Sequence, residues 1–261
     1  MTETRIGIVG AAGRMGRMLI EEVSATPGAV LAAACERPDH DSIGQDAGAL
    51  AGLKRLGVAI APKPEAVFAA SDVVIDFTAP KVTAVHAALA AKHKAALVIG
   101  TTGFEAAETA KVRAAARAVP IVWSPNMSLG VNVLTALTER VAKALGADYD
   151  IEILEMHHRH KVDAPSGTAL GLGEAAAKGR GVKLATVAAR GRDGITGARK
   201  PGAIGFAALR GGDVVGDHYV IYAGEGERIE LVHKASSRRI YSRGAVRAAL
   251  WLKGKKPGLY D

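Results

Sequence analysis

Cysteine is almost absent: Cys35 stands alone among 261 residues. An intramolecular disulfide is therefore excluded, and a reducing compartment fits. Aromatic residues make up only 4% of the chain, so Ala, Val, Leu and Ile must fill any core. No apolar run reaches the roughly 18 residues that span a bilayer. The start, MTETRIGIVG, lacks the basic, apolar and small-residue layout of a signal peptide. The expectation is a cytoplasmic protein without a membrane partner. Internal repeats and low-complexity tracts are missing as well.

Hydrophobic residues are plentiful at 49%, and 31 glycines announce many tight turns or close backbone approaches. The net charge of +8 is compatible with nucleic acid or with a small acidic substrate. Its carriers are scattered apart from Lys253, Lys255 and Lys256, which read as a solvated surface.

The first 125 or so residues alternate strand and helix patterns. Strands are expected at Arg5–Val9, Val30–Cys35, Asp72–Phe77, Ala95–Ile99 and Pro120–Trp123, with helices at Gly13–Val23, Pro80–His93 and Glu105–Ala118. Such alternation implies an α/β fold, a Rossmann-like doubly wound parallel sheet. After Asn126 the texture changes. A helix is expected at Leu129–Leu145, a strand at Tyr149–Met156 and a helix from about Ser166. Gly-rich turns between short strands follow, and Gly244–Leu252 returns to helical spacing. The second domain therefore reads as α+β with a mixed or antiparallel sheet. Gly191–Pro201 mixes glycine with charge, lacks periodicity and is the best candidate for a mobile loop.

Gly10-Ala11-Ala12-Gly13-Arg14-Met15-Gly16 follows the first strand and opens a helix. Glycines there let the backbone approach a pyrophosphate seated on the helix N-terminus. Glu36 closes the second strand about 20 residues on, where an acidic side chain hydrogen-bonds the adenosine ribose. Arg37 beside it suits a 2′-phosphate, so both NADH and NADPH are expected as cofactors. Gly100-Thr101-Thr102-Gly103 and Ser124-Pro125-Asn126-Met127 end later strands, on the side where ligands bind in such sheets. A turn-only role for each remains open.

The stretch His157-His158-Arg159-His160-Lys161-Val162-Asp163-Ala164-Pro165 poses the chemical question. Zinc is disfavoured, because Arg159 and Lys161 repel a cation and the cysteine is distant; no metal is expected. A nucleic-acid stripe would want aromatics, which the segment lacks. Ser166 is a good N-cap, and the N–H groups of Gly167 and Thr168 then face an anion at the helix start. Nearby His158 and Lys161 add positive charge. The segment reads as a receptor for a small polyanion, with His157 or Lys161 delivering a proton. Glu155 and Asp163 either orient these cations or are ordinary strand and turn carboxylates. Charge and cofactor together imply hydride transfer to a carboxylated substrate.

The run from Glu152 to Ala169 (EILEMHHRHKVDAPSGTA) resembles the signature of the 4-hydroxy-tetrahydrodipicolinate (dihydrodipicolinate) reductase family. GAAGRMG, VIDFT, VIGTTGF, SPNMSLGVN, PGAIGFAALRGGDVVGDH and HKASSRRIYSRGAVRAALWL resemble other family segments in order. The resemblance implies NAD(P)H-dependent reduction of 4-hydroxy-tetrahydrodipicolinate to tetrahydrodipicolinate with loss of water, in the diaminopimelate route to lysine. It implies His157 as proton donor/acceptor, Lys161 as proton donor, and His158, Gly167 and Thr168 as substrate contacts; Ser166 is grouped with them. Dinucleotide contacts are implied at Gly10 to Gly16, Glu36, Arg37, Gly100 to Thr102 and Ser124 to Met127. A homotetramer built through the second domain's sheet is also implied. So is a split first domain, 1–128 with 239–261, around 129–238. Spacing alone leaves open another two-domain reductase of a small carboxylated substrate, or a dinucleotide sensor without chemistry.

Overall fold

The computed structural model describes residues 3–261; Met1 and Thr2, inside the expected first domain, lie outside the described residues. Apolar runs of the first half become strands, and the stretches between them helices. In order they are β1 (Thr4–Val9), α1 (Arg14–Ala25), β2 (Ala29–Cys35), α2 (Ala47–Leu50), β3 (Ile60–Ala61) and α3 (Pro64–Ala70). Then come β4 (Val73–Asp76), α4 (Pro80–His93), β5 (Ala96–Ile99), α5 (Ala106–Ala115) and β6 (Pro120–Trp123). β4 and β5 are buried at every position, as continuous apolar strands covered on both faces must be. Pro64 and Pro80 start their helices, where the missing N–H costs nothing.

The chain continues through α6 (Leu129–Leu145), β7 (Asp150–His157), α7 (Gly167–Gly179), α8 (Leu184–Val187), β8 (Ala188–Arg190), β9 (Ile204–Arg210), β10 (Gly216–Ala223) and β11 (Arg228–Ala235). It closes with α9 (Arg239–Leu252) and β12 (Gly258–Tyr260). Two compact units result, one running to Met127 and resuming at Tyr241–Asp261, the other Ser128–Ile240.

The first unit holds a seven-stranded sheet ordered β12-β6-β5-β4-β1-β2-β3, with every pairing parallel. The order reverses between β1 and β4, the switch point where doubly wound sheets take ligands. Leu19, Ile20 and Val23 of α1 join Ala245, Val246, Ala249 and Leu252 of α9 in one buried cluster. Val67 and Phe68 of α3, Ala87 and Ala90 of α4, and Val112 and Ala115 of α5 join another with different strand residues.

Sequence reading missed α2, β3, α3 and β12. These elements are two to seven residues long, too short to display a period. α5 ends three residues before the expected Ala118, and α9 begins five residues before Gly244.

The second unit carries a mixed five-stranded sheet, β11-β10-β7-β9-β8. β10 runs antiparallel to β7 and β11, while β7, β9 and β8 run parallel. Alternation in β7 and β10 turns Ile151, Ile153, Val220 and Tyr222 into a cluster with Leu134, Ala142, Leu172 and Ala176 of α6 and α7. The opposite phase forms a second face. Val232, Tyr219, Leu154 and Ala207 lie in one row across four strands, and Lys234, Asp217, Met156 and Leu209 in the next. Val232 and Leu209 are both nearly half exposed. The loop after β8 has no regular structure and is held by Arg192 and Arg199 to Glu152 and by Arg199 to Asp150. A cavity of about 420 Å³ opens between this loop and Thr186–Ala189; none of the expected site residues lines it. Among the described residues no helix is long and apolar enough to cross a membrane.

Candidate active site

In the first unit the loop after β1 requires its glycines. Gly10 has φ of 70°, in the left-handed region. A Cβ on Gly16 would come within 2.2 Å of the Gly10 carbonyl oxygen. Helix α1 can therefore close down on the loop only with glycine there. Its N-cap is Gly13, with no side-chain cap and no acidic residue in the first turn. The positive end of such a helix suits an anion. Arg14 is exposed in that turn, with the half-buried Met15 next to it.

Glu36 follows β2 and reaches the same loop: its carboxylate accepts from Ala12 N and from Arg37 N, both at 3.0 Å. Arg37 is exposed and pairs with Asp39 at 3.4 Å. Cys35, just before, is buried; that burial, reinforced by the charge of Glu36, pushes its thiol up to about 12. It stays protonated and unreactive.

Gly100, Thr101 and Thr102 follow β5, and Ser124 to Met127 follow β6, so all the expected dinucleotide residues sit at carboxyl ends of this one sheet. Two of them are turned inward. Ser124 Oγ donates to the carbonyl of Asn126, two residues on, at 2.9 Å. Met127 contributes its side chain to the core, which leaves only its backbone for a ligand. The glycine-built loop, the uncapped helix start and the adjacent carboxylate fit a dinucleotide.

The second unit builds the chemical group. Alternation in β7 sends Glu155 and His157 to the buried side. Glu155 is fully buried and His157 is 8% exposed. His157 Nδ1 lies 2.5 Å from Glu155 Oε2. The same carboxylate takes both terminal nitrogens of Arg210, at 2.8 and 2.9 Å, and the backbone N–H of Ser166 at 3.1 Å. Burial opposes ionisation of Glu155, but hydrogen bonds and charge from Arg210 and His157 outweigh it and hold the carboxyl below its usual range. His157 is thus fixed through Nδ1. Its Nε2 stands against Gly216, where a Cβ would come within 2.9 Å, so only glycine fits beside that nitrogen.

Ser166 caps α7 as expected, accepting from Ala169 N at 3.1 Å. Its hydroxyl also meets His218 Nε2 at 3.1 Å, and the residue is only 2% exposed. Both contacts engage the Ser166 hydroxyl within the chain. Gly167 opens the helix with nothing within 4 Å of where a Cβ would stand, and Thr168 follows it in the first turn. Lys161 Nζ is held by both oxygens of Asp163, at 2.7 and 2.9 Å. His158 Nε2 lies 3.4 Å from Arg238. Desolvation, then the charges of Arg238, His157, His160 and Lys161, lower its pKa. Glu155 and Asp163 thus take the orienting positions considered for them.

Sequence reading overlooked Arg210, His218 and Arg238. Register explains two of them: Arg210 pairs with His157 across β9–β7, and His218 with Glu155 across β10–β7. A visible signal existed for His218, which shares the buried phase of Val220 and Tyr222 in GDHYVIYA. A histidine in that phase needs partners.

A sheet of this winding with such a helix start, joined to an acid-bearing second unit, fits a nicotinamide dinucleotide-dependent oxidoreductase of two-unit construction. Comparison with known proteins goes further. Residues 4–127 match the family described as dihydrodipicolinate reductase, N-terminus, and residues 130–261 its C-terminus. The chain is 59% identical to 4-hydroxy-tetrahydrodipicolinate reductase of Dinoroseobacter shibae, covering 98% of this chain and 95% of that one. It is 57% identical to the Sinorhizobium medicae enzyme of the same name, over 100% and 96%. Among solved structures, dipicolinate-bound dihydrodipicolinate reductase from Paenisporosarcina sp. TG-14 is 25% identical with a TM-score of 0.75, over 99% and 97% of the two chains. The chain belongs to the dihydrodipicolinate reductase family.

Proposed function

We propose that this protein reduces 4-hydroxy-tetrahydrodipicolinate to tetrahydrodipicolinate with loss of water, using NADH or NADPH, in the diaminopimelate route of lysine biosynthesis in the cytoplasm. The observation that carries the reading is the buried Glu155–His157 pair beside the open start of α7. The dipicolinate held by the Paenisporosarcina protein, a planar dicarboxylate, supports a dicarboxylate substrate here.

The dinucleotide supplies a hydride when bound. Gly10 to Gly16 hold its pyrophosphate on α1, Glu36 its ribose, and Gly100 to Thr102 with Ser124 to Met127 its nicotinamide end. The amide groups opening α7 at Gly167 and Thr168 bind a substrate carboxylate, with His158 and Arg238 adding donors. Lys161, steered by Asp163, and His157, steered by Glu155, hold and deliver the proton that accompanies reduction. The test mixes protein, enzymatically generated hydroxy-tetrahydrodipicolinate and either cofactor, and follows loss of nicotinamide absorbance. Absence of turnover with both cofactors overturns the reading.

Cofactor choice follows from Arg37. Arg37→Ala should raise KM for NADPH about tenfold, the worth of one charge-assisted hydrogen bond, and leave KM for NADH near its starting value. Equal effects on both would remove the 2′-phosphate role.

The uncovered face of the five-stranded sheet supports a homotetramer. A contiguous apolar row such as Val232, Tyr219 and Leu154 on a sheet face marks a protein–protein contact. Leu154→Glu combined with Val232→Glu should convert the tetramer to smaller species in sedimentation velocity. An unchanged sedimenting mass would place the interface elsewhere.

A further inference from the structure

A buried polar chain runs beneath the carboxyl ends of β4 and β5, and neither hydride nor proton delivery as described uses it. Asp76 ends β4 and is fully buried. One carboxylate oxygen lies 2.8 Å from Nδ1 of His86, a buried side chain of α4. The other accepts from Thr78 N at 2.8 Å and Thr78 Oγ1 at 2.6 Å. Nearly one turn before His86, the buried Thr83 donates its hydroxyl to Thr101 Oγ1 at 3.0 Å. Thr83 Oγ1 also lies 3.4 Å from Thr78 Oγ1.

The network holds the segment after β4 between two ligand loops. The Thr78 methyl carbon would lie 3.0 Å from a Cβ on Gly10, and the Phe77 ring 2.2 Å from one on Gly100. Gly100 N donates to the Asp76 carbonyl at 2.9 Å. Burying a carboxylate is costly unless it is fully hydrogen-bonded, and apolar side chains would stabilise a core at least as well. Because Thr101 already accepts from Thr83, its own hydroxyl proton is directed beyond the network.

The geometry points to Asp76 and His86 as positioning residues for the dinucleotide, with Thr83 as the link that sets the Thr101 hydroxyl. They fix Phe77 and Thr78 against Gly10 and Gly100, at the switch point of the sheet. This rests on the cofactor reading above, since it concerns the same two loops.

The experiment uses the full chain and measures the NADH dissociation constant by fluorescence without substrate, steady-state KM and kcat, and thermal stability. Thr83→Val preserves shape and removes only the hydroxyl. It should weaken NADH binding about tenfold, the scale of one buried hydrogen bond, and raise KM for NADH in step while KM for the substrate holds. His86→Ala should weaken NADH at least as much. His86→Asn, whose amide can donate to Asp76 from near the Nδ1 position, should recover most of the loss. If Thr83→Val and His86→Ala bind NADH like the wild type and only melting temperature falls, the network is a fold staple and the inference is wrong. Should His86→Ala fail to fold, Thr83→Val alone decides. Wild-type protein that binds neither NADH nor NADPH removes the cofactor reading itself, a result distinct from a variant that binds normally.

Discussion

With His157 changed to glutamine, kcat for the reduction should drop by about 100-fold or more, the usual scale of general acid catalysis, while the dissociation constant for NADH holds. The expectation follows from how few freedoms the imidazole retains. Glu155 takes Nδ1 at 2.5 Å and is itself locked by Arg210 and Ser166 N. Only Nε2 is left, beside Gly216, where any side chain would crowd it. Glutamine keeps similar bulk and can still reach Glu155, but it carries no titrating proton. An unchanged thermal melt serves as the control for folding of the unit that holds His157, and unchanged cofactor affinity as the control for the other. A variant with kcat within about threefold of wild type, below the usual contribution of a general acid, would make His157 a structural histidine.

The second large effect concerns acid. His218 is 4% exposed, and burial first, then the charge of His157, presses its pKa from 6.5 to about 4. The unfolded chain therefore binds a proton on this residue between those values while the native state does not. Stability rises with pH wherever the unfolded state holds more protons. The contribution is fully present above pH 6.5, shrinks as pH falls through the window and is gone near pH 4. Its size is on the order of 3 kcal/mol, at about 1.36 kcal/mol per pH unit, a large share of a typical domain's stability. His218→Gln can keep the bond to Ser166 Oγ without titrating. Denaturant melts at several pH values should show the wild type losing that increment relative to the variant. Parallel curves would mean that His218 takes up its proton in the native state.

Much of this architecture could be read from the chain itself, for identifiable reasons. Pro80–His93, Pro120–Trp123 and Leu129–Leu145 have the expected bounds because proline or serine marks their starts and their apolar periods are unbroken. The glycine loop and Glu36 were legible because each requirement is local to one strand and one turn. Arg210 and Arg238 were not, because their relation to His157 and His158 exists only after distant segments are brought together. Asp76 and His86 are ten residues apart, on a strand and the helix after it, and only the fold shows that they meet. Composition alone could not show where the few rings fall, such as Phe77 over Gly100 and Trp251 edge-on to Tyr260.

β12 pairs with β6 at the margin of the first sheet, and α9 supplies four side chains to its core. The earliest part of the polypeptide therefore cannot complete its tertiary structure until the latest part has left the ribosome. The intervening segment, Ser128–Ile240, is contiguous and faces no such delay. Vectorial synthesis would thus finish the middle first, while the nascent first unit still lacks its sealing helix and edge strand.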